Sequence, residues 1–438
     1  MARFALKPVH KLAALGGLLL AVACAVAPSP PPPPPAPGPA PAPSPPVPHS
    51  SGPSATIALA PPPPPSDFDR FIAQMHTQAR GAGITEETFR AATAGIAPIP
   101  AIAGMNDNQP EFSRPVWAYL DGAVSARRIK DGQALLAQNR SILGDIEQQS
   151  GVPKEILVAI WGMESDFGRD TGSFNLFAAL ATLGYQGPRA DYARPEFQAA
   201  LKILQEQHYA ASEMKSSWAG AFGQTQFTPT TFLKYAADGD HDGHIDLWSS
   251  APDALASAAN LLASQGWKAN EAWGFEVKLP KGFAYEDADI DAVRPMNDWR
   301  RRGVHTMSGG TLPPYAGAAS IYLPAGAHGP AFLLLPNFRV ILKYNNAASY
   351  ALAVAELGER IMGRPGIKGA WPRNEKPLSR DERFRFQQAL AAAGFDPGTP
   401  DGVLGHQTRA ATRDYQKKHG LVADGYPTAT LLAAMETR

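Results

Sequence analysis

One cysteine in 438 residues excludes any internal disulfide and any cage of thiolates around a metal. Net charge is missing as well, since 40 Lys and Arg balance 40 Asp and Glu and only 18% of the residues are charged. Phosphate neutralisation needs clustered Lys and Arg, so nucleic acid is excluded as a partner. Long apolar runs are scarce too. The stretch from Leu12 to Val26 is too short to span a bilayer comfortably, and no other approaches that length. Stability must come from burial, which 44% apolar residues can supply. At roughly 100 to 200 residues per domain, the length predicts two or three folded units.

What is present begins with an export pattern. Arg3, Lys7 and Lys11 precede the apolar run, so residues 1–27 read as a signal peptide. Cys24 ends that run after Ala21, Val22 and Ala23. The pattern resembles a bacterial lipoprotein signal in which Cys24 becomes the acylated N-terminus, although Leu is more usual where Ala21 stands. A plain small-residue cleavage site is the alternative. Residues 28–65 hold 20 of the 43 prolines, which favours an extended, polyproline-like linker over any packed structure. At about 3.1 Å per residue it could reach roughly 120 Å. A lipid anchor at Cys24 and this spacer would place an exported body between an outer membrane and what lies beneath it.

From Ser66 onward the apolar period is mainly helical. Phe68, Phe71, Ile72 and Met75 share a face, and Leu135, Ile142 and Ile146 continue the pattern. Pro153 opens a helix through Trp161, and Asp253 caps an Ala-rich one ending near Ser264. Between about 270 and 345 a few strands are expected, at 275–279, 332–335 and 338–342. Gly363-Arg-Pro-Gly and the prolines that follow mark a linker at 363–378. The folded parts are then 66–362 and 379–438. In the second, two Asp-Gly turns, Asp401-Gly402 and Asp424-Gly425, divide a small three-helix module.

Glu164 stands out by position. It follows Ile160 by four residues and Trp161 by three, on the stripe that should face the core. Desolvation favours a protonated carboxyl, which suits a general acid for C–O cleavage, although a structural ion pair is the commoner fate of a buried Glu. Asp166 lies about 200° round the helix and cannot be its close companion.

Four motifs then occur in order: Gly162-Met-Glu164-Ser-Asp-Phe167-Gly168; Ser217-Trp-Ala-Gly220-Ala-Phe222-Gly223-Gln224-Thr-Gln226-Phe227; Asp246-Leu-Trp248; and Val340-Ile-Leu-Lys-Tyr344-Asn345. Together they resemble the membrane-bound B-type lytic murein transglycosylases over about residues 67–362. The resemblance implies a mainly α, lysozyme-like α+β catalytic domain with a few short strands. It implies one catalytic carboxyl, Glu164, acting as acid and then base on peptidoglycan glycan strands. A second carboxylate is dispensable where the substrate assists its own cleavage. The family's cleft residues carry over to Ser217 and Gln226 in the second motif and to Tyr344, Asn345 and Tyr350 around the last. Phe222 and Thr228 stand where the family often has Met, Thr230 where it has Ser, and Leu261 where some members place a cleft Tyr, so that one sugar contact is in doubt. No cofactor is required by this chemistry.

Asp238, Asp240, Asp242 and Gly243 match the early positions of an EF-hand loop, but its twelfth position is Ser249. Some members of the resembled family bind calcium in this region, which would draw on Asp238, Asp240, Asp242 and His244, with Asp253 adding a ligand. Asx turns closed by the Asp side chains account for the same pattern. Finally, Phe386-Gln387, Asp401-Gly402, Tyr415-Gln416 and Asp424-Gly425 resemble the first type of peptidoglycan-binding module. A hydrolytic muramidase using Asp166 or Asp191, and a non-catalytic wall tether, are the competing functions.

Overall fold

The computed structural model describes residues 66–107 and 114–437. The expected signal segment with Cys24 and the expected proline-rich linker lie outside the described residues. Ten helices build most of the first body: α1 (Asp67–Gly81), α2 (Glu86–Thr93), α3 (Val116–Ala123), α4 (Ala126–Gln138), α5 (Arg140–Ser150), α6 (Lys154–Ser165), α7 (Leu176–Tyr185), α8 (Ala190–Gln207), α9 (Pro229–Tyr235) and α10 (Ala251–Ser264). α1 starts where a sequence pattern says it should. Ser66 and Asp69 form a reciprocal capping box, and Phe68, Phe71, Met75 and Ala79 bury one stripe. α6 differs, being buried on nearly every side from Ile156 to Ser165. It is the central post of the body, and α13 (Ala348–Ile361) lies along it. Gly358 makes this close approach workable, because a Cβ there would sit 3.2 Å from the Glu155 carbonyl.

Two short strands, β1 (Phe174–Asn175) and β2 (Lys215–Ser216), pair antiparallel beside α7. A five-stranded antiparallel sheet follows, in the order β4 (Arg294–Pro295), β6 (Ala318–Tyr322), β7 (Ala331–Leu334), β3 (Gly274–Lys278), β5 (His305–Thr306). Its two faces separate by the period of two expected of a strand. Tyr322, Phe332 and Leu334 join the main helical core, whereas Val277, Ile321 and Leu333 pack with Trp299 of α11 (Met296–Arg301) in a core of their own.

Three expectations need correction. Residues 338–342 are not a strand but part of α12 (Pro336–Tyr344), since Pro336 favours a first helical position and Phe338, Ile341 and Tyr344 fall on one helical face. The α10 cap is Ser250, whose hydroxyl accepts from the Asp253 amide, so the Asp253 carboxylate is released for another use. The stripe from Leu135 to Ile146 also breaks at Asn139, between α4 and α5. The C-terminal module is three helices, α14 (Arg380–Ala392), α15 (His406–Lys418) and α16 (Ala429–Glu436), around Phe386, Leu390, Tyr415 and Leu432. Each Asp-Gly turn is clasped by a glutamine. Gln387 accepts from the Asp401 and Gly402 amides at 2.9 and 2.7 Å, and Gln416 accepts from the Gly425 amide at 2.8 Å.

Candidate active site

The end of α6 sets the site. After Ser165 the chain turns through Asp166, Phe167 and Gly168, all at positive φ (51°, 63° and 81°), so Glu164 occupies the last full turn before an abrupt reversal. Glu164 is only 3% exposed, and its Oε1 accepts a hydrogen bond from the Tyr350 hydroxyl of α13. Burial, and then the charge of Glu164, push the Tyr350 phenol well above its ordinary pKa, so it remains a donor at neutral pH. Tyr344 behaves similarly, raised by burial and then by Glu164, and its hydroxyl donates to the Thr225 carbonyl at 2.6 Å.

Asp166 is engaged elsewhere. Arg127 binds its Oδ1 at 2.8 Å, with Arg128 at 3.6 Å, and Arg169 meets Oδ2 at 3.3 Å. Burial alone would raise the Asp166 pKa, but the Arg127 hydrogen bond and the neighbouring positive charges outweigh it and hold the group below the usual carboxylate range. Asp191 is exposed in the first turn of α8.

The second motif forms a tight loop opposite Glu164's helix. Phe222 and Phe227 bridge antiparallel, and Gln226 sits inside the turn at φ 49°. Its amide nitrogen donates to the Gly223 carbonyl at 2.9 Å and the Thr171 carbonyl at 3.2 Å, while its buried Oε1 has no partner. The sequence led us to expect a donor and an acceptor. The donor is spent on the chain, and the acceptor is what remains for a ligand. Ser217 is half-buried and accepts from the Ala221 amide at 3.1 Å. Asn345, 2% exposed at the end of α12, keeps a buried Nδ2 without a partner.

Gln224 was missed by the sequence analysis. Its Oε1 accepts from Trp161 Nε1 at 2.9 Å, its carbonyl accepts from Ser165 Oγ at 2.6 Å, and its amide donates to the Leu247 carbonyl at 2.7 Å. One residue thereby ties the turn bearing Glu164 to the loop bearing Gln226 and to the Asp-Leu-Trp segment. Nothing in its local pattern separates it from a solvent-facing loop glutamine. The departures at other positions are also explained by packing: Phe222 stacks on Trp248 at 4.5 Å, Thr230 donates to Glu196 at 2.6 Å, and Leu261 is core.

The Asp-rich loop leads into the Asp-Leu-Trp segment. Asp238, Asp240 and Asp253 present oxygens within 4.8 Å of one another, whereas Asp242 and His244 are exposed and outside that group. Asx-type bonds are present, from the Gly243 amide to Asp238 at 2.9 Å and from the His244 amide to Asp242 at 2.8 Å. Asp253 accepts from the Gly239 and Asp246 amides, both at 2.7 Å. Yet Asp238 Oδ1 is buried without a partner. Asp253 is held above the usual carboxylate range by burial and, beyond its hydrogen bonds, by the charge of Asp240.

Residues 67–359 match the transglycosylase SLT domain, and residues 379–435 match a peptidoglycan binding domain. The chain belongs to the SLT family of lytic transglycosylases. It is 32% identical over 261 residues to membrane-bound lytic murein transglycosylase B of Escherichia coli K12, covering 58% of this chain and 69% of that one. It resembles the crystal structure of SltB3 from Pseudomonas aeruginosa in complex with NAG-anhNAM-pentapeptide, at 49% identity and a TM-score of 0.81, over 84% of this chain and 99% of that one. Escherichia coli Slt35 in complex with calcium is 26% identical with a TM-score of 0.59, over 70% of this chain and 94% of that one. In this lytic transglycosylase the neighbours of Glu164 favour neither the hydrolytic nor the purely tethering alternative.

Proposed function

We propose that the chain cleaves the β-1,4 bond between N-acetylmuramic acid and N-acetylglucosamine in peptidoglycan without water, with Glu164 as the catalytic acid and base. The observation that carries the roles is a buried Glu164 held by Tyr350 while the adjacent Asp166 is consumed by arginines. Protonated Glu164 donates to the glycosidic oxygen as the C1–O bond breaks, and the muramic N-acetyl oxygen stabilises C1. The C6 hydroxyl then bonds to C1 and returns its proton to Glu164, closing a 1,6-anhydro ring. Gln226 Oε1 accepts from a sugar N–H or O–H, and Asn345 and Ser217 bind sugar oxygens. Tyr344 contributes chiefly its ring and its hold on Thr225. The test is mass spectrometry of muropeptides released from sacculi by the chain lacking residues 1–65. Products lighter by one water than hydrolysis products are expected, and none from Glu164→Gln; reducing muramic ends, or turnover by that variant, would overturn the assignment.

Domain limits of 66–362 and 379–438 follow the same reading, with the second unit holding the enzyme on the wall and raising the local substrate concentration. Export to the periplasm and acylation of Cys24 at the outer membrane fit a wall substrate. No helix among the described residues is long and apolar enough to cross a membrane. Palmitate labelling that disappears in Cys24→Ser is the expected result. Asp238, Asp240 and Asp253 suit a structural calcium ion, since a cation would satisfy the unpartnered Asp238 oxygen and relieve the repulsion at Asp253. Calcium should raise the melting temperature by several degrees, EGTA should reverse this, and Asp238→Asn should abolish the response.

A further inference from the structure

The C-terminal module is docked on the sheet of the catalytic body. The Ala327 amide donates to Asp424 at 2.9 Å, Arg413 pairs with Asp289 at 2.9 Å and His406 meets Asp291 at 3.1 Å. A cavity of about 460 Å³ lies between the two units, walled by Trp117 of α3, Tyr322 of β6 and Tyr426 of the second Asp-Gly turn. Glu164 does not line it. We infer that this cavity is a second binding site, for a short wall peptide carrying both a carboxylate and an amine.

The charges lining the cavity carry the inference. Asp289 and Asp291 are taken by Arg413 and His406, Asp424 is taken by the Ala327 amide and by Gln416 at 2.8 Å, and Lys376 pairs with Glu382 at 3.2 Å. Arg383 donates to the Gly402 and Leu378 carbonyls at 2.7 and 3.2 Å, Arg114 stands exposed at the rim, and Arg409 and Glu375 remain. Arg409 is half-buried with its guanidinium 5.7 Å from the Tyr426 ring centre, and no carboxylate among the described residues pairs with it. Glu375 is half-buried and likewise has no cation paired to it among the described residues. Both charges act on Tyr426, whose hydroxyl is pushed up to about 12 mainly by burial. A partly desolvated ion without a counter-ion is costly, and a ligand of opposite charge removes that cost. A lining with an excess of arginine and one carboxylate outside any ion pair, on an aromatic-walled cavity, complements a peptide that carries carboxylates and an amine, whose apolar side chains the rings cover. The peptide-free disaccharide offers one lactyl carboxylate and no amine, and would leave Glu375 unanswered. The inference rests on the wall-cleaving reading, because the stem peptide is the zwitterionic component of peptidoglycan. Residues of both units line the site, so a bound stem would bridge them.

Isothermal titration calorimetry on the full chain carrying Glu164→Gln tests this, with the stem tetrapeptide freed of sugars, the same peptide acetylated at its amines, and the peptide-free disaccharide. The free peptide should bind saturably, and Arg409→Gln should weaken it at least about tenfold. Glu375→Gln should weaken the free peptide similarly but leave the acetylated one unaffected. Unchanged affinity in both variants, or binding of the disaccharide alone, would overturn the site. A crystal structure of the parent with the peptide needs no substitution there: density beside Arg409 supports the site, and density only beside Glu164 overturns it. Sacculus cleavage with Glu164 intact is measured separately. Its absence overturns the lytic reading, whereas cleavage without peptide binding overturns only the cavity.

Discussion

Glu164 takes a hydrogen bond from Tyr350, 186 positions away, and the proposed chemistry would draw on it. A hydrogen bond to a charged group contributes about 1.5 to 3 kcal/mol, so Tyr350→Phe should lower kcat roughly tenfold to a hundredfold with KM little changed. Kinetics on a soluble muropeptide would check it. Gln224 makes a different prediction. Gln224→Leu strands the Trp161 indole N–H and frees the Glu164 turn from the Gln226 loop, so stability should fall by about 1 to 3 kcal/mol in denaturant titrations and kcat should fall with it. Glu164 was legible in the sequence because a carboxylate on a core-facing stripe is rare enough to notice. Gln224 was not, since its importance is made by Trp161, Ser165 and Leu247, which lie 63, 59 and 23 positions away in the chain and meet it only after folding.

At the scale of the element, the reversal after α6 is the feature that positions the acid. Gly168 lies at φ 81°, and a Cβ there would come within 2.6 Å of Gln224 Oε1. Gly168→Ala should therefore destabilise by more than the roughly 1 kcal/mol of left-handed strain, and should cost activity beyond its effect on melting. Helices with an apolar stripe and a cap, such as α1, were readable residue by residue. α12 was not, because Phe338 to Leu342 is too short an apolar run for period to distinguish strand from helix, and the deciding residue was Pro336. The sheet strands at Gly274–Lys278 and Ala331–Leu334 were readable as strands, but their order was not, since pairing is decided by contacts distant in sequence.

On the scale of the whole molecule, the segment joining the two units is gripped by carboxylates. Glu276 of β3 accepts from the Lys368 and Gly369 amides at 2.8 and 2.6 Å, and Glu356 of α13 accepts from the Ile367 amide at 3.4 Å. Burial raises the Glu356 pKa from 4.5 to about 7, against smaller opposing effects of the Ile367 amide and Arg360. A raised folded-state pKa means that its contribution to stability is complete below pH 4.5 and is lost as pH rises through about 7. Glu356→Gln should therefore stabilise at pH 8 by up to about 3 kcal/mol and leave stability at pH 4.5 unchanged, as melting curves at the two pH values would show. The docked module has a further consequence. A unit fastened through Asp424, Arg413 and His406 does not trail behind the enzyme on a leash but turns with it, so gripping the wall also fixes the angle at which the cleft meets a glycan strand. The module then works as a ruler, and cuts should fall at a set spacing from the point of grip.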